Sequence, residues 1–378
     1  MRKLLFVCGA VVAAALTYAV IFSGDGSGVQ VDVDDEGVRH IVRGDTSEFS
    51  LTDGDRELRA EWRGDFKLDK TGDAIASLDD TMTIRLEEGD VEWELSFEEA
   101  GKKAKTVLRK DGEKLDDGEE TTEKISEITL AFLRASAIKS NQRVERLIEI
   151  GGVEAALAEI DALDSEYALR RYAVALAEET ALDTAQLTRL ITAVSEIDGD
   201  HDLSEALQAV VEKQAVAKET GEAIAAAAQQ IEGDYERRRL AAALAERVLT
   251  PETEHLALAL ISEIDSDHDM RVASVTFLKH EKLRQETAVQ LLGVVAENID
   301  SDHDLRRVLE AAAPRLSEPD MWTAWRGVYD AMEGDHDRRR AIEAAAEETN
   351  GSLADELREA ARMIEDDYDR ERALAAID

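Results

Sequence analysis

The spacing of hydrophobic residues changes near residue 120. Upstream, across residues 28–117, the chain runs through short alternating stretches: VQVDV, HIVRG, EFSLT, ELRAEW, TMTIRL, VEWELSF and KTVLRKDGEKL. Gly/Asp pairs separate them. A period of two broken by tight polar turns predicts a small antiparallel β unit. The clearest hairpin is the Asp111-Gly112 turn between KTVLRK and EKL. Trp62 and Trp93 fall within these strands and read as core anchors, with exposed ligand-stacking residues as the alternative. From about residue 120 the period becomes 3.6. Ile125, Ile128, Leu130, Phe132, Leu133 and Ile138 fall along one broad helical face. Helical patterning then continues to the C-terminus. No low-complexity linker intervenes, so the β unit is expected to pack on the first helices.

A single phrase returns throughout the helical region: DSEYAL, DGDHDL, EGDYER, DSDHDM, DSDHDL, EGDHDR and EDDYDR. Its aromatic-or-histidine position falls at Tyr167, His201, Tyr235, His268, His303, His336 and Tyr368, at spacings of 34, 34, 33, 35, 33 and 32. A fixed period of this size is the mark of a repeat protein. One helix runs into each phrase and another leaves it. A two-helix unit this short cannot bury both faces alone and must stack on its neighbours. The expected fold is therefore mainly α: an α-solenoid of about seven two-helix repeats with a period of about 34, preceded by a small antiparallel β domain and an N-terminal membrane helix. The domain plan is a signal anchor or signal peptide at 1–24, the β-rich domain at 28–117, connecting helices at 118–151 and the repeats at 152–378.

The phrase itself admits two readings. Ser266 and Ser301 stand where a helix N-cap is needed, and Asp269 and Asp304 follow three residues later, as in a capping box with Asp for Glu/Gln. Gly199, Gly233 and Gly334 occupy the same slot elsewhere. Further acids in the first turn suit the helix dipole. Alternatively, Asp265, Asp267 and Asp269, or Asp300, Asp302 and Asp304, resemble the first half of a calcium loop. The second half does not follow: the sixth residues are Met270 and Leu305 where glycine is needed, and the twelfth are Thr276 and Ala311 where glutamate is needed. The capping reading is the one taken, with no metal and no cofactor expected. Helix starts are also read at Thr250-Pro251 and Ser317-Glu318-Pro319-Asp320, with proline at the first helical position.

Arginines follow each phrase. They read as a ladder of pairs with acids three or four residues away, such as Asp302 with Arg306, or as the lining of a groove for an acidic ligand. Trp322, Trp325 and Tyr329, at i, i+3 and i+7, are the candidate binding patch, with helix core as the alternative. Catalytic motifs are missing. His280-Glu281 is followed by Arg284 where a zinc protease helix needs its second histidine, and there is no G-x-S-x-G and no P-loop. The chain is read as a non-enzyme.

Composition narrows the partners. Asp and Glu number 84 against 45 Lys and Arg, a formal charge of −39, which repels phosphate backbones and argues against nucleic acid as a partner. Arginine outnumbers lysine, as in proteins adapted to salt. Cys8 is the one cysteine, so the chain holds no internal disulfide. The first residues, MRKLLFVCGAVVAAALTYAVIFSG, place Arg2 and Lys3 before a 19-residue mostly apolar run from Leu4 to Phe22. Such a run is long enough to span a bilayer, and the positive-inside rule sends the acidic remainder outward. An uncleaved anchor is preferred to a cleaved signal.

The stretch FLRASAIKSNQRVERLIEIGGVEAALAEIDALDSEYALRRYAVAL (132–176), with the upstream ELRAEWRGDFKLD and IASLDDTMTIRLEE, resembles uncharacterised exported bacterial proteins. It also resembles the extracytoplasmic region attached to some membrane zinc metallopeptidases of the β-lactam-sensor type. The peptidase motif is missing, so no functional residue carries over. The resemblance implies an envelope sensing or scaffolding module. Together these readings give a single-pass, envelope-facing scaffold that binds a protein or peptide partner through its repeats, touching the membrane only through the N-terminal segment. The alternatives are an extracytoplasmic sensor for a small ligand or cation, and more remotely a hydrolase.

Overall fold

The computed structural model describes residues 19–22, 28–33, 38–100, 103–246, 250–318, 320–349 and 351–378. The apolar run at residues 1–24, with Cys8, lies outside these residues except for Ala19–Phe22, which is a strand. Among the described residues no helix is long and apolar enough to cross a membrane.

The protein is mainly helical, with an antiparallel sheet at its N-terminal end. The strands are β1 (Ala19–Phe22), β2 (Gly28–Val33), β3 (Arg39–Arg43), β4 (Thr46–Asp53), β5 (Arg56–Arg63), β6 (Phe66–Leu68), β7 (Ile75–Leu78), β8 (Thr81–Glu88), β9 (Val91–Ala100), β10 (Lys103–Lys110) and β11 (Glu113–Lys114). Nine form one sheet in the order β1-β2-β3-β4-β5-β8-β9-β10-β11, and β6 pairs with β7 apart from it. The Asp111-Gly112 hairpin is present, and both residues have positive φ, as its primed turn requires. The two-residue alternation decides which face of the sheet is core. Phe49, Ala60, Ile84, Leu95 and Leu108 form one buried row across five strands, while the rows on either side point charge at solvent. The short β6 and β7 carry too little alternation to be read from sequence.

Sixteen α-helices follow among the described residues: α1 (Glu119–Ser136), α2 (Ser140–Gly151), α3 (Val153–Ile160), α4 (Glu166–Glu179), α5 (Thr184–Val194), α6 (Asp200–Lys213), α7 (Lys218–Ala228), α8 (Asp234–Ala245), α9 (Pro251–Ser262), α10 (Asp267–Leu278), α11 (Gln285–Asn298), α12 (Asp302–Ala312), α13 (Met321–Ala331), α14 (Asp335–Thr349), α15 (Ala354–Ala361) and α16 (Asp367–Ile377). The start signal at Thr250 is met: its Oγ1 accepts from the Thr253 amide, and Pro251 opens the helix. At the second proposed start the outcome differs. Pro319 lies outside the described residues and α13 begins at Met321, after Asp320 at φ +61°.

The chain divides into two compact units, residues 1–182 with 193–202, and residues 183–192 with 203–378. In the first unit the sheet packs on the first helices. Phe132 of α1 lies 5.9 Å from Phe49, 5.8 Å from Trp62 and 6.4 Å from Phe66, centroid to centroid, so Trp62 is a core anchor. Trp93 is half-buried beneath Lys110 and Lys124. A buried charge cluster ties the β6–β7 loop to the helices. Arg143, 2% exposed, donates to the Gly72 carbonyl and to Asp73, and Arg134 meets both oxygens of Glu159 at 2.7 and 2.8 Å. Burial alone would raise the Glu159 pKa. The Arg134 hydrogen bonds and the Arg143 charge outweigh it, and the carboxyl is held below its ordinary value.

In the second unit helices pack on the helix two positions on: α7 on α9, α9 on α11 and α11 on α13, and likewise α8 on α10, α10 on α12, α12 on α14 and α14 on α16. The helices that lead into a phrase thus neighbour one another, and so do the helices that trail from it. Small residues permit the close stacking, among them Ala241, Ala245, Ala257, Ala273, Ala288 and Ala345, all buried.

Candidate functional site

The repeated phrase is the first place to look for chemistry, and its acids turn out to join one helix pair to the next. In α4, α8, α10, α12 and α14 the first helical residue turns its carboxylate forward, onto amides at the start of the next trailing helix. Asp234 accepts from the Asp265 and Ser266 amides at 3.1 and 2.8 Å. Asp267 accepts from Ser301 at 2.8 Å. Asp302 accepts from Glu333 and Gly334 at 2.9 and 2.7 Å, and Asp335 from Glu365 and Asp366 at 3.1 and 2.7 Å. In the first unit Glu166 does the same for Asp198 and Gly199. These charge-assisted bonds satisfy donors that a helix start leaves without partners.

This corrects the capping-box expectation. Ser266 and Ser301 do cap their helices, accepting from Asp269 and Asp304. The reciprocal bond, however, comes from the preceding repeat rather than from Asp269 or Asp304. Those two acids are released to pair with arginines of the preceding trailing helix: Arg238 with Asp269 at 2.8 Å and Arg271 with Asp304 at 2.5 Å. Arg306 with Asp337, and Arg339 with Asp369, follow at 2.6 Å, and Arg170 with Asp202 at 2.8 Å in the first unit. Arg306 and Arg339 donate an aligned Nε–H, whereas Arg238 and Arg271 make ion pairs off the hydrogen-bond axis. The expected pair of Asp302 with Arg306 is therefore not made. Arg306 instead holds Asp337 in the next repeat and Glu310 one turn along.

The alternation of His and Tyr in the phrase has the same origin. His268, His303 and His336 each accept at Nδ1 from the arginine three residues on, at 2.9–3.0 Å. Tyr167 and Tyr235 lie under Arg170 and Arg238, with the guanidinium carbon 5.3 and 4.7 Å from the ring centroid. Either ring can hold the guanidinium that reaches forward. The proposed calcium ligands are thus divided. Asp267 and Asp302 bind backbone, Asp269 and Asp304 bind arginine, and Asp265 and Asp300 are exposed. Among the described residues no group of three or more His, Cys, Asp or Glu is placed to hold a metal.

The aromatic stripe does not form the expected patch. Trp325 and Tyr329 are fully buried. The Trp325 Nε1–H donates to the Leu309 carbonyl at 3.2 Å and the Tyr329 hydroxyl to the Ala360 carbonyl at 3.0 Å. Trp322 is half-buried, stacked on Trp325 at 5.4 Å. The i, i+3, i+7 spacing faces α12, α14 and α15 in place of a ligand. Burial pushes the Tyr329 phenol up to about 12.

The opening that sequence reasoning missed lies between α7 and α9. It is a groove of about 530 Å³ floored by Gly221, Ala225, Ala226 and Ala259, with Lys218, Glu222, Glu252 and His255 at its rim. Its signal was present as small residues on the outward face of leading helices, which reads like ordinary helix composition. Gly293 of α11 and Gly327 of α13 continue that outward run, each exposed and with open space where a Cβ would stand. Comparisons with protein-family models, with curated proteins and with solved structures find no match.

Proposed function

We propose that the protein is an envelope-facing, non-enzymatic scaffold. On this reading α3–α16 are seven two-helix repeats of an α-solenoid, the segment preceding β1 anchors the chain in a membrane or directs its export, and the leading helices present a continuous surface to a protein or peptide partner. The observation that carries it is the groove between α7 and α9. A floor of alanine and glycine lets a partner backbone approach closely, and the neighbouring leading helices extend that small-residue surface. Lys218 at the same rim pairs with Glu222 at 3.9 Å, and Glu252, on a chain of charge −39, favours a segment bearing lysine or arginine. Repeat arrays commonly bind extended partners along such faces.

The test is in-cell crosslinking of the full chain from a photoreactive residue placed at Ala259, with Arg340 of a trailing helix as control. The expected result is a discrete crosslinked partner from position 259 only, lost when Ala226→Trp fills the groove. Equal yields from the two positions, or unchanged capture after Ala226→Trp, would sink the reading. The alternative of a small-ligand sensor has one observation in its favour, a row of arginines on the sheet.

A further inference from the structure

The solvent face of the sheet breaks a rule that the same sheet keeps elsewhere. Register places Arg39, Ser50, Arg59, Arg85, Glu94 and Arg109 in one row across β3, β4, β5, β8, β9 and β10. At one end charges alternate: Glu94 sits between Arg85 and Arg109 and pairs with both, at 3.0 and 3.1 Å. At the other end they do not. Arg59 stands directly opposite Arg85, a like-charge cross-strand pair of the kind that destabilises a sheet. Arg39 lies in the same row with no ion-pair partner among the described residues. Arg59 leans on Glu57 at 2.5 Å and remains 59% exposed.

Ser50 is the small residue between Arg39 and Arg59. Strands lie about 4.8 Å apart, so the two arginines flank a notch roughly 10 Å across with a hydroxyl at its floor. The notch opens into a concavity of about 350 Å³ that also touches Glu48, Glu61 and Thr83. Glu48 is held by Arg43 at 3.4 Å, while Glu61 has no ion pair among the described residues. Glu57 and Glu94 answer Arg59 and Arg85, but nothing among the described residues answers Arg39, and a broken local rule of this kind is where function is expected.

We propose that this notch binds the oxyanion of a small ligand, with Arg39 supplying a paired N–H fork, Arg59 and Arg85 the Nη1 donors left over from their bonds to Glu57 and Glu94, and Ser50 a hydroxyl. Planar guanidinium forks match phosphate and carboxylate geometry, and the remainder of the ligand would reach Glu61. A bare polyanion would meet Glu48 and Glu61, so the ligand class is a small zwitterion: one oxyanion group and one ammonium. The site lies in the first compact unit and does not depend on the scaffold reading.

The experiment is a calorimetric and thermal-shift titration of the full chain at constant ionic strength, first with inorganic phosphate and then with phosphoethanolamine. Saturable binding of both is expected, at least tenfold tighter for phosphoethanolamine. Arg39→Gln and Arg59→Thr should each weaken binding tenfold or more, with Arg63→Gln as a neutral control. Because Arg59→Thr removes the like-charge pair, its melting temperature should equal or exceed that of the parent, so lost binding cannot be put down to unfolding. Absence of saturable binding, or equal affinity in parent and Arg59→Thr, would overturn the site. Equal affinity for the two probes would overturn the role given to Glu61.

Discussion

Glu254 is 1% exposed, and its carboxylate meets three donors from the helix that follows in its layer. They are the Arg284 amide at 3.1 Å, the Arg284 Nε–H at 2.7 Å and the Thr287 hydroxyl. Removing the acceptor leaves a buried hydroxyl and a helix-start amide without partners. Glu254→Ala should therefore cost about 2–3 kcal/mol, seen as a lower denaturant midpoint at unchanged slope, and Glu254→Gln should cost less. Two titrations belong to this scale. Glu159 has a folded pKa below its ordinary 4.5, so its contribution is complete above that value and is lost as pH falls through the lowered one. Acid unfolding of the parent should accordingly begin below about pH 4.5, and Glu159→Gln should flatten that limb. Tyr329 runs the other way. Its phenol is pushed up to about 12 against an ordinary 10.0, so the folded form keeps a proton that the unfolded form gives up. Stability should fall as pH rises from about 10 towards 12, and this loss should be smaller in Tyr329→Phe but not abolished, because burial raises the Tyr172 phenol as well.

At the scale of the element, helix ends and helix faces were legible to different degrees. The caps at Ser266 and Ser301 and the proline start at Thr250 follow from local chemistry and could be read directly. The destination of Asp267 or Arg271 could not. Each bonds to a residue more than thirty positions on, and such pairing is set by how helices stack. A pattern three or four residues long suggests a local partner even where the real one is distant. The Trp325 and Tyr329 stripe shows the same limit from the other side. Helical spacing puts residues on a common face, but it does not say whether that face meets solvent or another helix. Gly293 and Gly327 offer a test. Both are mid-helix and exposed, and a Cβ at either would meet no neighbour. Gly293→Ala and Gly327→Ala should each stabilise by up to about 1 kcal/mol. If either also weakens partner capture, the close approach assigned to the leading-helix face gains a second support.

For the whole molecule, charge is the dominant quantity. A formal −39 sets carboxylates against one another throughout the fold. The forward pairs oppose this, but they are partly shielded from solvent: Arg339 and Asp369 keep 5% and 15% of their side-chain exposure. Added salt screens exposed repulsion more than it screens such pairs. The melting temperature should therefore rise between 0.05 and 1 M NaCl, by several degrees. A fall over that range would mean that the ion pairs, not the repulsion, govern stability. The period near 34 could be read from the phrase alone, because a repeat announces itself many times over. The arginine row could not, since it is assembled from strands whose register is fixed only by folding.

The forward reach of the phrase gives the array a polarity. Every junction from α8 to α16 mates a donor-rich start on one repeat with an acid and, beside it, an arginine on the repeat before. Like a zip with teeth on one side and sockets on the other, such a joint is the same wherever it is cut. A duplicated segment from Asp267 to Ser301, inserted in frame after Ser301, would find its socket filled by the original and offer its own tooth to the next repeat along. Lengthening by whole units then preserves every such joint, while a shift of even a few residues within one unit misaligns the contacts across it.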